Sequence, residues 1–129
     1  MAKTTTNFVR PTDTVDTSSD GKIVPKADAV FSVTLDTTGF ADKVISAGHP
    51  IIKVTADGTY KPQAVSNGAL VAIAASGEEY AGVLNASILT EKPIAAVAQI
   101  GIVNTKACKY EPLAAAKTAL THILFTQDI

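Results

Sequence analysis

The sequence predicts a mainly β domain, compact and sandwich- or barrel-like, with one short helix near its C-terminus and a mobile N-terminal arm. Two apolar runs, in Tyr80–Leu89 and Ile94–Asn104, flank the break Thr90-Glu91-Lys92-Pro93. Strict polar alternation is nearly absent from them, the signature of strands covered on both sides. The dipeptides Asp57-Gly58 and Asn67-Gly68 sit between β-compatible runs, as tight hairpin loops require. Only one stretch, Leu113–Leu120, favours helix.

Taken in order, residues 1–28 are rich in Thr, Ser and Asp, with small apolar islands at Phe8-Val9 and Ile23-Val24. Such a stretch buries too little surface to offset its ordering entropy, so it is expected to be mobile in the isolated protein, either a floppy tail or an arm that orders on a partner through Phe8, Val9 and Arg10. Arg10 is the only arginine, and its planar fork suits an interface. Asp13, Asp16 and Asp20 lack the glycine and terminal glutamate of a calcium loop and read as solubilising charges. Residues 29–129 form the single β-rich domain.

Ala29–Leu35 alternates Val30, Ser32 and Thr34 against Phe31, Val33 and Leu35, a half-buried strand closed by the turn Asp36–Gly39. Phe40–Ile45 is ambiguous, and Ser46–Pro50 is a second break. Ile51–Ala56 and Thr59–Val65 then make a hairpin around a two-residue Asp57-Gly58 loop. Pro62 lacks a ladder donor and sends the second strand to an edge. Asn67-Gly68 leads into the apolar run Ala69–Ala75, and Ser76–Glu79 turns the chain into the central pair. In that pair Tyr80, Leu84 and Ile88 share one face; Ile94, Ile100 and Ile102 oppose Val97 and Val103.

After a loop at Thr105–Tyr110, Pro112 can open a helix whose Leu113, Ala116 and Leu120 form one packing stripe. Two turns are too short to hold alone, so this helix exists only by docking. A last strand, Thr121–Thr126, follows.

Composition narrows function by exclusion. A net charge of −1 with scattered basic residues disfavours nucleic acid and anionic membrane as partners. No run approaches the ~20 apolar residues of a bilayer span, and no apolar signal segment follows Met1-Ala2-Lys3. Aromatics are 5% with no Trp, too few for stacking platforms. Cys108 stands alone, His49 and His122 show no ligand spacing, and no serine has a nucleophile-elbow context. The expectation is a non-enzymatic protein with no catalytic residue, no metal and no cofactor.

From Gly48 to Ile129 the order of features resembles the lambda-type head-decoration (cement) proteins of tailed bacteriophages. The matching stretches are Pro50-Ile51-Ile52, Ala56-Asp57-Gly58-Thr59, Ala81-Gly82-Val83-Leu84, Gly101-Ile102-Val103-Asn104, the Ala-rich helix Leu113–Leu120 and the closing Ile123-Leu124-Phe125. The resemblance implies a structural virion protein, made in the host bacterial cytoplasm. It would sit on the outer capsid surface as a homotrimer, bind the major capsid protein, and stabilise the expanded shell against DNA pressure. It maps the capsid-touching arm onto Thr4, Thr5, Thr6, Asn7, Phe8, Val9 and Arg10, with backbone pairing for affinity and Phe8 and Val9 for specificity. Departures are the longer segment 1–47 with its extra strand, an apparent insertion at Ala64–Glu79, and the missing tryptophan. Alternatives in other classes are a head-fibre base, a tail-tube subunit, or a small β-barrel module for a soluble ligand.

Overall fold

The computed structural model describes residues 15–127. After a four-residue helix α1 (Asp20–Ile23) come strands β1 (Lys26–Thr34), β2 (Val44–Ile45), β3 (Pro50–Val54), β4 (Tyr60–Pro62), β5 (Val65–Ser66), β6 (Ala69–Leu70), β7 (Glu78–Leu84), β8 (Ile88–Leu89) and β9 (Ile94–Asn104). Helix α2 (Ala114–Ala119) and strand β10 (Ile123–Thr126) complete the described residues. The main sheet runs β1-β9-β7-β3-β4 and curls into a half-barrel, with β10 added parallel to β9. At one end the two sheet edges meet. Leu35 bridges Tyr60, the Asp36 N–H donates to the Tyr60 carbonyl at 2.7 Å, and the Phe31 and Tyr60 rings lie 5.6 Å apart.

Strand β9 organises the rest. From Ile94 to Ile102 it pairs with β1; on its other edge it pairs first with β7, at Leu84 and Val83, and then with β10 from Gly101 onward. A shift in register is built in: Val30 faces Ala98 while Ala29 faces Ile100, leaving Gln99 without a counterpart. This bulge re-aims every later side chain of β9. Before it, Ala95 and Val97 point into the barrel interior with Leu35, Ile45, Ile51 and Leu84. After it, Val103 joins Ala98 and Val83 on the opposite side, under Ile23, Val24, Leu120 and Ile123. Two cores thus share one strand. Ile45, Ile51, Leu84 and Val97 have no exposed surface, and burying each stabilises by about 1.5–3 kcal/mol. Strands cross closely where glycine allows it: a Cβ on Gly82 would lie 2.3 Å from the Ala98 oxygen, and one on Gly101 2.3 Å from that of Lys26.

The mainly β class and the short late helix are as the sequence predicts, and several finer expectations change. The half-buried strand begins at Lys26, and residues 20–28 belong to the folded domain: Ile23 and Val24 are buried in its helix-side core. Asp20 is no solubilising charge. Its two carboxylate oxygens accept the Ser87 N–H at 2.8 Å and the Ser87 hydroxyl at 2.7 Å, and Ser87 Oγ accepts the Ala47 N–H at 2.9 Å. Asp16 accepts the Ser18 N–H at 2.9 Å, and Asp13 lies outside the described residues.

The Asn67-Gly68 loop has positive φ at both residues (55° and 77°), the geometry its sequence predicts. Asp57-Gly58 does not. The Val54 N–H donates to the Thr59 carbonyl across a longer connection, and the Asp57 carboxylate accepts both the N–H and the hydroxyl of Thr59. That side-chain turn competes successfully with the two-residue loop. The run Ala69–Ala75 is strand only at Ala69–Leu70. Tyr80 packs with Val83, not with Leu84, because β7 carries its own register shift opposite Ile51 and Ile52. Leu113, Ala116 and Leu120 are half-buried, buried and buried, so the α2 stripe docks as expected.

Candidate interaction surface

The arm residues expected to touch a partner, Thr4 to Arg10, lie outside the described residues. Within them, the chemistry-bearing side chains are tied to one another. His49 is 4% exposed, and its Nε2–H donates to the Gln63 carbonyl at 2.9 Å. The Phe40 and Tyr110 rings meet it edge-on at 5.4 and 6.1 Å. Burial pushes its pKa below the ordinary 6.5, so the imidazole is held neutral. His122 is exposed at the start of β10. Cys108 is half-buried and burial pushes its thiol up to about 11, with Glu111 adding to the effect. A thiol so placed is no nucleophile at neutral pH.

Asp42 accepts a short hydrogen bond from the Tyr110 hydroxyl and lies 3.4 Å from Lys109 Nζ. The Tyr110 bond holds the Asp42 carboxyl below the usual range and raises the phenol. This contact straps the loop after β9 to the loop before β2. A cleft of about 200 Å³ opens beside it, with Asp36, Phe40, Lys61 and Glu78 in its walls. Lys61 Nζ contacts Glu78 Oε2 at 2.5 Å, and Glu78 Oε1 accepts the Ala74 N–H at 3.0 Å. Lys61 and Glu78 therefore satisfy each other, while the Asp36 carboxylate accepts the Thr38 N–H at 3.1 Å.

Gln63 is 1% exposed; its Nε2 donates to the Val71 carbonyl and the Tyr80 hydroxyl, while Oε1 has no partner among the described residues. Nothing in the Lys61-Pro62-Gln63 sequence signals that burial; it accompanies the bonds to Val71, just after β6, and to Tyr80 of β7. Among the described residues no group of three His, Cys, Asp or Glu side chains could hold a metal, and no helix is long and apolar enough to cross a membrane.

Apolar surface stands out more than pockets. Ile94 is 71% exposed, Leu124 60%, Val30 44% and Ile100 42%. The register divides them between two sheet faces. Ile100 and the half-buried Ile102 share the face of Leu124, the partner of Ile102 on β10. Ile94 and Val30 lie on the other face, because the Gln99 bulge separates Ile94 from Ile100. The sequence reading placed all three isoleucines together; a period-two count has no access to the bulge. Val97 and Val103, which that count puts on one face, are both fully buried but in different cores on opposite faces of the sheet. No protein-family model, curated protein or solved structure matches this chain.

Proposed function

We propose that this chain is a structural virion protein that binds the outside of an expanded phage capsid as an oligomer, a homotrimer in the arrangement the resemblance implies. Its partner is the major capsid protein, its role is to stabilise the shell against internal DNA pressure, and it catalyses no reaction. The observation that carries the reading is the placement of large apolar side chains. Ile94, Ile100 and Leu124 stand exposed on strands, while Lys61 and Glu78 in the cleft are spent on one another. Binding by surfaces, not pocket chemistry, is what such an arrangement serves. The half-barrel with a late short helix also agrees with the resemblance in feature order. Thr4–Arg10 would supply strand-adding contacts to the shell, and an oligomer would make several such weak contacts at once.

Cosedimentation with expanded, undecorated capsids tests this, comparing the full chain with one lacking residues 1–14. The truncation stops there because Asp20, Ile23 and Val24 are held in the domain. Saturable binding that is lost on truncation is the expected result. Binding that survives truncation moves the interface onto the folded domain. No binding by either chain to shells of the same virus overturns the proposal.

A further inference from the structure

We infer that Asn67 is a site of spontaneous backbone modification, at which the folded chain loses a side-chain amide and acquires a carboxylate. The inference goes beyond the virion reading and does not depend on it. Asn67 and Gly68 form the two-residue loop between β5 and β6, both exposed and both at positive φ (55° and 77°). Neither the Asn67 side chain nor the Gly68 N–H makes a hydrogen bond among the described residues. A Cβ added to Gly68 would meet nothing within 4 Å, so the attacking nitrogen is uncrowded. The reaction needs only base and water. Base removes the Gly68 amide proton, the nitrogen attacks Asn67 Cγ, the N–Cγ bond forms and the Cγ–Nδ2 bond breaks. Ammonia leaves with a proton from solvent, and a cyclic succinimide remains. Water then opens one of its two carbonyls. One opening gives aspartate; the other gives isoaspartate, whose backbone runs through the former side chain.

The fold protects the competing positions. Asp20 and Asp57 also precede glycine, where the same ring closure would expel water. Asp57 Oδ1 accepts the N–H and the hydroxyl of Thr59 at 3.0 and 2.8 Å, and the Gly58 N–H donates to the Val54 carbonyl at 2.9 Å. The Thr59 bonds hold the Asp57 carboxyl below its usual range, and an ionised carboxylate is a poor electrophile. Asp20 spends both carboxylate oxygens on Ser87. Asn85 and Asn104 are half-buried, and the residues after them, Ala86 and Thr105, carry side chains that crowd the attack. Asn104 Oδ1 also accepts the Lys106 N–H at 3.2 Å, and the Thr105 N–H donates to the Thr126 carbonyl at 2.9 Å. Conversion at Asn67 takes the net charge from −1 to −2. The isoaspartate product also lengthens the loop by one backbone carbon. Strands β5 and β6 share only the pairs Val65–Leu70 and Ser66–Ala69, so their register loses the loop that sets it. The Val71 N–H, bound to the Ala64 carbonyl at 2.8 Å at the foot of this hairpin, should feel that loss.

Incubation of the full folded chain in mildly alkaline buffer tests the inference, followed by charge-resolved separation and peptide mapping that distinguishes aspartate from isoaspartate. The expected result is a more acidic species that accumulates with first-order kinetics and maps to Asn67, while Asn85, Asn104 and Asp57 stay unchanged in the same sample. Asn67→Gly, which still suits positive φ in a two-residue loop, should remove that species. Unfolding in denaturant should release Asp57 to isomerise as well. Hydrogen exchange at the Val71 N–H should quicken in the isolated isoaspartate form and not in Asn67→Asp, which adds the charge without the extra carbon. An Asn67 that converts no faster than Asn85 or Asn104 in the folded chain overturns the inference. So does an Asp57 that isomerises equally fast folded and unfolded, since the protection would then not come from the fold. Equal exchange at Val71 in the isoaspartate form and Asn67→Asp overturns the loosening of the hairpin.

Discussion

The two halves of β9 are both apolar-rich and have opposite surroundings. From Ile94 to Ala98 the strand buries Ala95 and Val97 in the barrel interior and leaves Ile94 in solvent. From Ile100 to Asn104 it buries Val103 under α1 and α2 and leaves Ile100 exposed on the interior's side of the sheet. One unpaired residue, Gln99, separates the two arrangements. A strand that reads as apolar on both faces is here a strand whose covered face changes halfway. Its apolar excess is then left exposed, at Ile94 on one face and Ile100 on the other.

The largest effect should come from the interior half. Leu84→Ala removes a fully buried side chain from a cluster with no slack, and chemical denaturation should show a loss of about 2–5 kcal/mol. Leu120→Ala, on the helix side, should cost about 2 kcal/mol, the low end for such a truncation, because 8% of Leu120 is already exposed. If the two cores are as separate as their membership implies, the double variant should be additive to within about 0.5 kcal/mol. A larger coupling would show that β9 transmits packing strain across the bulge, and the division into halves would fail.

Next in size is the clamp that makes the segment before β1 part of the helix-side core. Asp20→Asn keeps the shape and weakens two charge-assisted bonds to Ser87, so stability should fall by about 1–2 kcal/mol. Hydrogen exchange should quicken around Ile23 and Val24 while the barrel interior keeps its protection. Equal quickening in both halves would mean the clamp serves the whole domain.

His49 sits beside both regions and gives a pH handle. Its folded-state pKa lies below 6.5, so the unfolded chain binds the extra proton first as pH falls. Stability from this group is complete above pH 6.5 and declines below it, through the folded-state pKa. The groups facing it are Asp42, Tyr110 and Lys109, and Asp42 itself titrates only at lower pH because the Tyr110 bond holds it down. Denaturation midpoints should therefore drop between pH 7 and 5 in the native chain and stay nearly flat in His49→Gln. A parallel drop in both would assign the effect elsewhere.

The smallest effect should be at Ile94. With 71% of its surface exposed, Ile94→Thr should change the stability of the single chain by less than about 0.5 kcal/mol. A cost of several times that would mean the N-terminal half is covered on both faces after all.

By itself the sequence determined the β class, the Asn67-Gly68 hairpin and the α2 stripe. These depend on local dihedral preference or on period, which neighbouring residues carry between them. Tertiary structure decided the rest. The Gln99 bulge, the change of covered face along β9, the burial of Gln63 and His49, and the docking of Ile23 and Val24 all arise from partners far away in the chain. Ser87 is 67 residues from the Asp20 that it holds. A polar strip such as residues 15–25 looks unable to fold because its own apolar content is small. It folds because the sheet supplies a surface that two of its side chains complete.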